Sequence, residues 1–245
     1  MAEAPSPLHK FDIKQDDLCQ RLGGGLPKGA IVVLEGVVGA GKSVLSQRIT
    51  QGLLHNGVRV GYVSTELTTR SMLDQMDSLG YKEAWASIPD QRFVFVPTHP
   101  IIGERSPRAD RLGRLLKARA LYDLDVVIFD TFSKLVGDHM ADHKDQTQAM
   151  DTVEAVLHLF KRLTGFGKTI VLTLDPSQAP PAALESFAVA ADVYLRIEKE
   201  RVGGATSRRI VVERMSRAAR RYSETIGFRV EPRVGIIIEI RAVVG

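Results

Sequence analysis

The chain has 245 residues, of which 44% are hydrophobic and 25% are charged, and 33 basic against 29 acidic side chains give a net charge of +4 at pH 7. This composition is that of an ordinary globular protein, so it excludes a mainly disordered chain, and the small net charge alone does not indicate nucleic-acid binding. No apolar run approaches the roughly 18 to 20 residues of a membrane-spanning helix, and a single cysteine excludes an intramolecular disulfide, so we expect a cytoplasmic protein.

The first two thirds of the chain alternate short β-branched runs with amphipathic stretches. This alternation is typical of an α/β fold with a mostly parallel sheet flanked by helices. It predicts strands at residues 31–35, 59–64, 93–96, 126–130 and 169–174, and helices at residues 42–55, 69–79, 108–121 and 147–163.

The pattern changes after residue 190. Short alternating runs at residues 193–197, 209–212, 226–230 and 235–240 predict an antiparallel extension that completes the sheet at its C-terminal end. Residues 137–146 and 176–183 have no regular pattern, so we expect loops there, on the sheet edge that binds the ligand. Because no repeat and no Pro/Gly/Ser-rich linker divides the chain, we expect one domain over residues 22–245 after an N-terminal segment, residues 1–21.

The segment GVVGAGKS, residues 36–43, is a complete G-x-x-x-x-G-K-S motif between a predicted strand and a predicted helix. In this setting glycines let backbone N–H groups surround phosphates, and the start of the helix adds positive potential. We expect Lys42 to reach the β- and γ-phosphates of a nucleotide and the Ser43 hydroxyl to coordinate Mg²⁺. The predicted nucleotide-binding residues are Gly36, Val38, Gly39, Ala40, Gly41, Lys42, Ser43 and Val44.

Acidic and polar residues at neighbouring strand ends complete the predicted chemistry. Asp130 ends a buried strand, so it would reach the edge where phosphates bind and hold Mg²⁺ directly or through water. Glu66 ends another strand and is the candidate catalytic base, with capping of the following helix as its alternative role. Thr173 and Asp175, at the end of the last predicted parallel strand, occupy positions suited to sensing the γ-phosphate.

The segment LGGGLPKG, residues 22–29, precedes the phosphate-binding motif and resembles the RecA/KaiC superfamily of P-loop ATPases. Residues 35–81 resemble a family within it, FlaH (also called ArlH), which comprises the KaiC-like subunits of the archaellum motor. The runs GKSVLSQR, YVSTELTT and DQMDSLGY carry this resemblance, which is strongest over residues 22–81 and extends over nearly the whole chain.

The resemblance implies a RecA/KaiC-like P-loop core that binds ATP with Mg²⁺ and assembles with copies of itself into a hexameric ring. It also implies two partners, the motor ATPase and the platform membrane protein of the archaellum, and a regulatory or structural role beside that ATPase. The protein would lie in the cytoplasm and reach the membrane only through these partners. No direct nucleic-acid binding is expected.

The sequence departs from the KaiC pattern at two places that concern hydrolysis. Glu66 matches the first of two adjacent glutamates, whereas the second position holds Leu67. An apolar side chain cannot polarise water, and loss of a general base costs about 10²- to 10⁴-fold in rate, so we expect slow hydrolysis with ordinary ATP binding. KaiC-type rings also present a Lys-x-Arg pair to the γ-phosphate of the adjacent subunit, and Arg214 and Arg217 are candidates for this trans finger.

Two other functions use the same core. A RecA/RadA-like DNA-dependent ATPase would contact single strands through residues 137–146 and 176–183, yet these hold one basic residue, Lys144, and no aromatic residue. A P-loop small-molecule kinase would use the basic segment at residues 105–119 as a lid over the phosphates. Autophosphorylation is a further hypothesis, because hydroxyl groups are expected near the γ-phosphate at Ser64, Thr65, Thr131 and Ser133.

Overall fold

Two β-sheets are present in the computed structural model, which describes residues 6–98, 111–202 and 205–239. The smaller sheet is a two-stranded ribbon, and the larger has nine strands within these ranges. The ribbon consists of β1 (Leu8–His9) and β2 (Leu26–Pro27), and the large sheet consists of β3 (Ile31–Glu35), β4 (Val60–Ser64), β5 (Phe93–Pro97), β6 (Val126–Asp130), β7 (Thr169–Leu174), β8 (Val193–Val202), β9 (Ala205–Met215), β10 (Thr225–Glu231) and β11 (Gly235–Glu239).

The large sheet has the strand order β11-β10-β9-β8-β3-β7-β6-β4-β5. Neighbouring strands from β8 to β5 are parallel, and those from β8 to β11 are antiparallel. The strand β8 joins the two parts, because it pairs in parallel with β3 and antiparallel with β9. This arrangement confirms the predicted mostly parallel sheet with a C-terminal antiparallel extension.

Helices cover both faces of the large sheet. The helix after the glycine-rich GVVGAGKS segment begins at Lys42 and ends at His55, as predicted. None of the helices in the described ranges combines the length and the apolar character that a membrane crossing requires. The helices are α1 (Leu18–Arg21), α2 (Lys42–His55), α3 (Thr69–Ser78), α4 (Glu83–Ser87), α5 (Arg111–Leu115), α6 (Arg119–Tyr122), α7 (Phe132–Asp142), α8 (Gln146–Gly165) and α9 (Pro181–Ala190).

Alternate residues of the parallel strands enter two separate cores on opposite faces of the sheet. Val32 and Leu34 of β3 pack with residues of α2, α3, α4 and the antiparallel strands. Ile31 and Val33 pack with residues of the helices from α5 to α9. The parallel strands read as continuous apolar runs in the sequence because both of their faces are buried.

Two segments predicted as loops are partly helical. The helix α7 extends over residues 137–142, and α9 begins at Pro181. Leu135, Val136 and Met140 of α7 are buried at helical spacing. Gly137 has a packing role, because a Cβ there would lie 1.9 Å from the carbonyl oxygen of Gln178. The loop prediction was wrong at residues 137–142, because this glycine and the surrounding charges obscure the buried stripe, whereas residues 143–145 are not helical.

The predicted helix at residues 108–121 is interrupted. The two short helices α5 and α6 cover parts of this range, and residues 108–110 lie outside the described part of the chain, as does the beginning of the basic segment at residues 105–119. The strands β8 and β9 are longer than predicted. The helices α1 and α4 and the ribbon of β1 and β2 have no clear signal in the sequence, because each is too short to establish a period.

Residues 11–18 pack against α2 through a buried ion pair. Nε of Arg48 lies 2.6 Å from Oδ2 of Asp16, and Nη2 lies 2.7 Å from Oδ1. Arg48 also donates to the carbonyl oxygen of Phe11 at 3.0 Å. The side chains of Arg48 and Asp16 are 0% and 2% exposed, and Phe11 and Leu18 are buried in the same core as α2. This segment is therefore part of the packing of the α2 face.

Candidate nucleotide-binding site

A cavity of about 300 Å³ lies at the carboxyl edge of the large sheet, beside the start of α2. Six of the eight predicted nucleotide-binding residues line this cavity. The other two, Gly36 and Ala40, lie behind the glycine-rich loop that precedes α2. Gly36 passes close to β8, where a Cβ would lie 2.7 Å from the carbonyl oxygen of Ile197, and Ala40 is buried in the core. The six that line the cavity are Val38, Gly39, Gly41, Lys42, Ser43 and Val44.

The phosphate loop, residues 36–41, has a conformation that favours glycine at two positions. Gly39 and Gly41 have φ angles of 75° and 113°, which lie in the left-handed region. Gly41 immediately precedes α2, whose first N–H groups have no partner inside the helix. These N–H groups and the positive end of the helix dipole make the loop suited to binding phosphate.

Lys42 is the first residue of α2, and its ammonium group lies against the phosphate loop and contacts a buried carboxylate. Its Nζ donates to the carbonyl oxygens of Gly36 at 2.6 Å and Val37 at 3.0 Å, and it lies 3.5 Å from Oδ2 of Asp175. Burial raises the pKa of Asp175, but hydrogen bonds from Ser177 and the charge of Lys42 outweigh it, so the pKa lies below its ordinary value. Asp175 is therefore ionised at neutral pH and is the counter-ion of Lys42.

Three hydroxyl groups hold Asp130 at the end of β6. Ser43 and Thr173 donate to Oδ1 at 3.1 Å and 3.0 Å, and Tyr62 donates to Oδ2 at 2.8 Å. Burial raises the pKa of Asp130 above its ordinary value, although these hydrogen bonds act in the opposite direction. Thr173 is fully buried next to Asp130, so it supports this carboxyl group from the interior.

The oxygen atoms of Ser43 and Asp130 form a donor set that fits a hard divalent cation. A hydroxyl oxygen and a carboxylate oxygen meet at 3.1 Å, and Mg²⁺ prefers oxygen ligands of this kind. Within the described ranges no group of three or more His, Cys, Asp and Glu side chains is arranged to hold a metal ion. A cation at Ser43 and Asp130 would therefore need further oxygen ligands from phosphate and water.

Tyr62 positions Asp130 from the interior of the sheet, and its hydroxyl group also lies 2.8 Å from Oγ of Ser46. We expect Tyr62→Phe to weaken Mg²⁺ binding in the presence of ATP by about tenfold, because groups that orient a metal ligand contribute roughly 10- to 100-fold to metal affinity. ATP binding without Mg²⁺ should change much less. Calorimetric titration of Mg²⁺ at constant ATP measures the first quantity, and titration of ATP in a chelator measures the second.

Tyr81 provides the matched control for this prediction. It is also buried, and its hydroxyl oxygen accepts the N–H of Ile236 at 3.0 Å, at the start of β11. Tyr81→Phe should lower the thermal stability and leave the Mg²⁺ affinity unchanged. Equal losses of Mg²⁺ affinity in the two variants would mean general destabilisation and would contradict a positioning role for Tyr62.

Glu66 is exposed at the cavity wall, where its Oε1 accepts a hydrogen bond from Thr131 at 3.3 Å. Its alternative role as a helix cap is wrong, because the N-cap of α3 is Thr68, whose side chain accepts the N–H of Ser71. Leu67 is half-buried and packs against the core. The carboxylate of Glu66 is therefore available at the cavity, whereas the next side chain contributes to packing.

Two further cavity residues have no specific signal in the sequence. Gln178 lies in the loop between β7 and α9 and accepts a hydrogen bond from Ser133 at 3.2 Å. Arg208 reaches the cavity from β9. The basic run at residues 208–221 indicates positive charge, but the side of the sheet that each residue faces depends on the register of the strands. The charge pattern alone therefore does not single out Arg208.

Arg214 and Arg217 lie at the opposite end of the sheet from the phosphate loop of the same chain. Nη1 of Arg214 donates to the carbonyl oxygen of Ala191 at 2.6 Å, after the end of α9. Arg217 donates to the carbonyl oxygens of Lys28 and Gly29, both at 2.9 Å. A role for either guanidinium at a γ-phosphate would therefore require a neighbouring copy of the chain.

Comparisons with known proteins agree with this architecture. The family described as "ATPase: KaiC" matches residues 13–242. The archaeal flagellar ATP-binding protein FlaH of Methanocaldococcus jannaschii is 34% identical over 236 residues, which cover 96% of this chain and 97% of that protein. The protein of the same name from Methanococcus voltae is 29% identical over 234 residues, which cover 96% and 98%.

The fold agrees with the crystal structure of the flagellar accessory protein FlaH from Methanocaldococcus jannaschii. The TM-score is 0.84 at 33% sequence identity, and the match covers 96% of this chain and 100% of that one. The similarity therefore includes the phosphate loop, the parallel core and the C-terminal antiparallel strands. This chain belongs to the FlaH family of KaiC-like ATPases.

Proposed function

We propose that this protein binds ATP together with Mg²⁺ and is an archaellum subunit whose assembly depends on that nucleotide. The observation that carries the proposal is that Lys42 and Ser43 line one cavity in a member of the FlaH family, and that Asp130 lies directly behind Ser43, whose hydroxyl group donates to it. Lys42 would bind phosphate oxygens. Ser43 and Asp130 would hold Mg²⁺, which neutralises phosphate charge when bound.

Hydrolysis is slow in this proposal. Glu66 is the candidate base, because its carboxylate is exposed at the cavity. The apolar side chain of Leu67 cannot polarise water, and Asp175 is already engaged by Lys42 and Ser177. The presence of ATP, more than its cleavage, would therefore be the signal that the protein transmits.

A nucleotide held between subunits would favour a closed ring, because a ligand stabilises the state that binds it more tightly. Arg214 and Arg217 are the candidate residues for contacting the γ-phosphate of a neighbouring copy, and each would have to leave carbonyl groups of its own chain to do so. The proposed partners are further copies of this chain, the archaellum motor ATPase and the platform membrane protein. Support for an archaellar role comes from the relatives, which are named archaeal flagellar ATP-binding proteins.

Size-exclusion chromatography with light scattering tests the dependence of assembly on the nucleotide. With ATP and Mg²⁺ we expect a hexameric particle, and without nucleotide we expect a smaller one. A mass that does not respond to ATP at saturating concentrations would contradict the proposal. Fast multiple-turnover hydrolysis by the isolated protein would contradict the proposed slow hydrolysis. Salt-dependent binding to single-stranded DNA would favour a DNA-dependent ATPase instead.

A further inference from the structure

Two cationic side chains of the antiparallel strands lie beside the phosphate loop. Lys199 of β8 and Arg208 of β9 are directly opposite each other, so they share one face of the sheet. A Cβ on Gly41 would lie 3.3 Å from Cδ and 3.6 Å from Nε of Arg208, and a Cβ on Gly39 would lie 3.6 Å from Nζ of Lys199. The two positive groups therefore flank the two glycines that shape the loop.

The part of the chain that the structure describes supplies no ion pair to Lys199 or Arg208, and Nε of Arg208 is buried there without a hydrogen-bond partner. A buried donor without a partner costs about 1–3 kcal/mol. Like charges that face each other across two strands are also destabilising. An anion in the cavity would offset both of these costs.

The adjacent pair of residues on the same strands shows the ordinary arrangement. Glu198 and Arg209 are also directly opposite each other, and Nε of Arg209 donates to Oε2 of Glu198 at 2.5 Å. Because successive residues of a strand face opposite sides, this pair lies on the other face of the sheet. Opposite charges thus meet on one face, whereas like charges meet on the face towards the phosphate loop.

We propose that Lys199 and Arg208 bind the phosphate groups of the nucleotide, so that the phosphates lie between the loop and the antiparallel strands. This inference rests on the proposed function, because it requires a nucleotide in the cavity. The apolar lining residues Val44 and Val230 suit a nucleoside base, which leaves the cationic groups for the phosphates. A contact of this kind connects nucleotide occupancy to the C-terminal strands.

Calorimetry with ATP on the full-length wild type and three methionine variants tests this inference. Arg208→Met keeps the apolar stem and removes the charge, so we expect about tenfold weaker ATP binding from the loss of one charge-assisted hydrogen bond. Lys199→Met should have a smaller effect, about twofold to fivefold, because this side chain is exposed. The remaining affinity of both variants should depend less on ionic strength than that of the wild type. The matched control Arg209→Met removes the same charge from the other face and should bind ATP like the wild type.

A competition assay with adenosine, which has no phosphate groups, distinguishes contacts of Arg208 with the phosphates from contacts with the nucleoside. We expect adenosine to bind Arg208→Met and the wild type equally, and an equal loss for adenosine and ATP would contradict the inference. Unchanged ATP binding by Arg208→Met would also overturn it, whereas a wild type that fails to bind ATP would overturn the proposed function itself. If Arg208→Met is thermally destabilised, Arg208→Lys must recover most of the ATP affinity, and failure to do so would count against phosphate binding.

Discussion

Alanine in place of Lys42 is expected to weaken ATP binding by at least about 100-fold. In the present structure the ammonium group donates to the carbonyl oxygens of Gly36 and Val37 and faces the carboxylate of Asp175, so it is already inside the loop that would receive phosphate. Each charge-assisted hydrogen bond contributes about 1.5–3 kcal/mol, and two such bonds to phosphate oxygens correspond to this loss. Calorimetry with ATP and Mg²⁺ measures the effect.

Lys168→Ala is the matched control for the Lys42 variant. Nζ of Lys168 donates to the carbonyl oxygen of Asp123 at 2.9 Å, at the opposite edge of the large sheet from the cavity. This variant should bind ATP like the wild type. Thermal unfolding must accompany both titrations, since Lys42→Ala also removes the counter-ion of the buried Asp175. Wild-type ATP affinity in folded Lys42→Ala would refute the assignment of the phosphate loop as the binding site.

Methionine in place of Arg48 is expected to destabilise the protein by about 3–5 kcal/mol, because breaking a buried ion pair leaves an uncompensated charge. The carboxylate that loses its partner belongs to Asp16, whose side chain is 2% exposed. For a chain of this size the loss corresponds to a decrease in Tm of roughly 6–20 °C. Calorimetric or spectroscopic thermal unfolding in the absence of nucleotide measures it.

An exposed arginine provides the comparison for this effect. Arg59 contacts both carboxylate oxygens of Asp125 at 3.1 Å and 2.9 Å, but the two side chains are 48% and 34% exposed. Because exposed pairs contribute about 0–1 kcal/mol, Arg59→Met should lower Tm only slightly. Adding Asp16→Asn to Arg48→Met should recover part of the lost stability, since it removes the buried charge. Equal effects of Arg48→Met and Arg59→Met would contradict the importance of burial.

The elements predicted best are those whose signals are local. The strands β3, β6 and β7 and the helix α2 have the predicted bounds, because β-branched runs and a glycine-rich motif before a helix act over a few adjacent residues. The helix α7 was missed because Gly137 weakens its local helical signal, yet the close approach of Gln178 requires that glycine. Tertiary packing thus overrides local propensity at this position.

The sequence by itself determined the α/β class, the phosphate loop and the position of Asp130 at a strand end, because each depends on residues that are neighbours in the chain. Only the tertiary structure decided that Tyr62 and Thr173 contact Asp130 and that Lys199 and Arg208 meet beside the loop. These contacts depend on strand order and register, and a shift of one residue would turn every side chain of a strand to the other face. Pairing of this kind joins distant parts of the chain, so no local pattern encodes it.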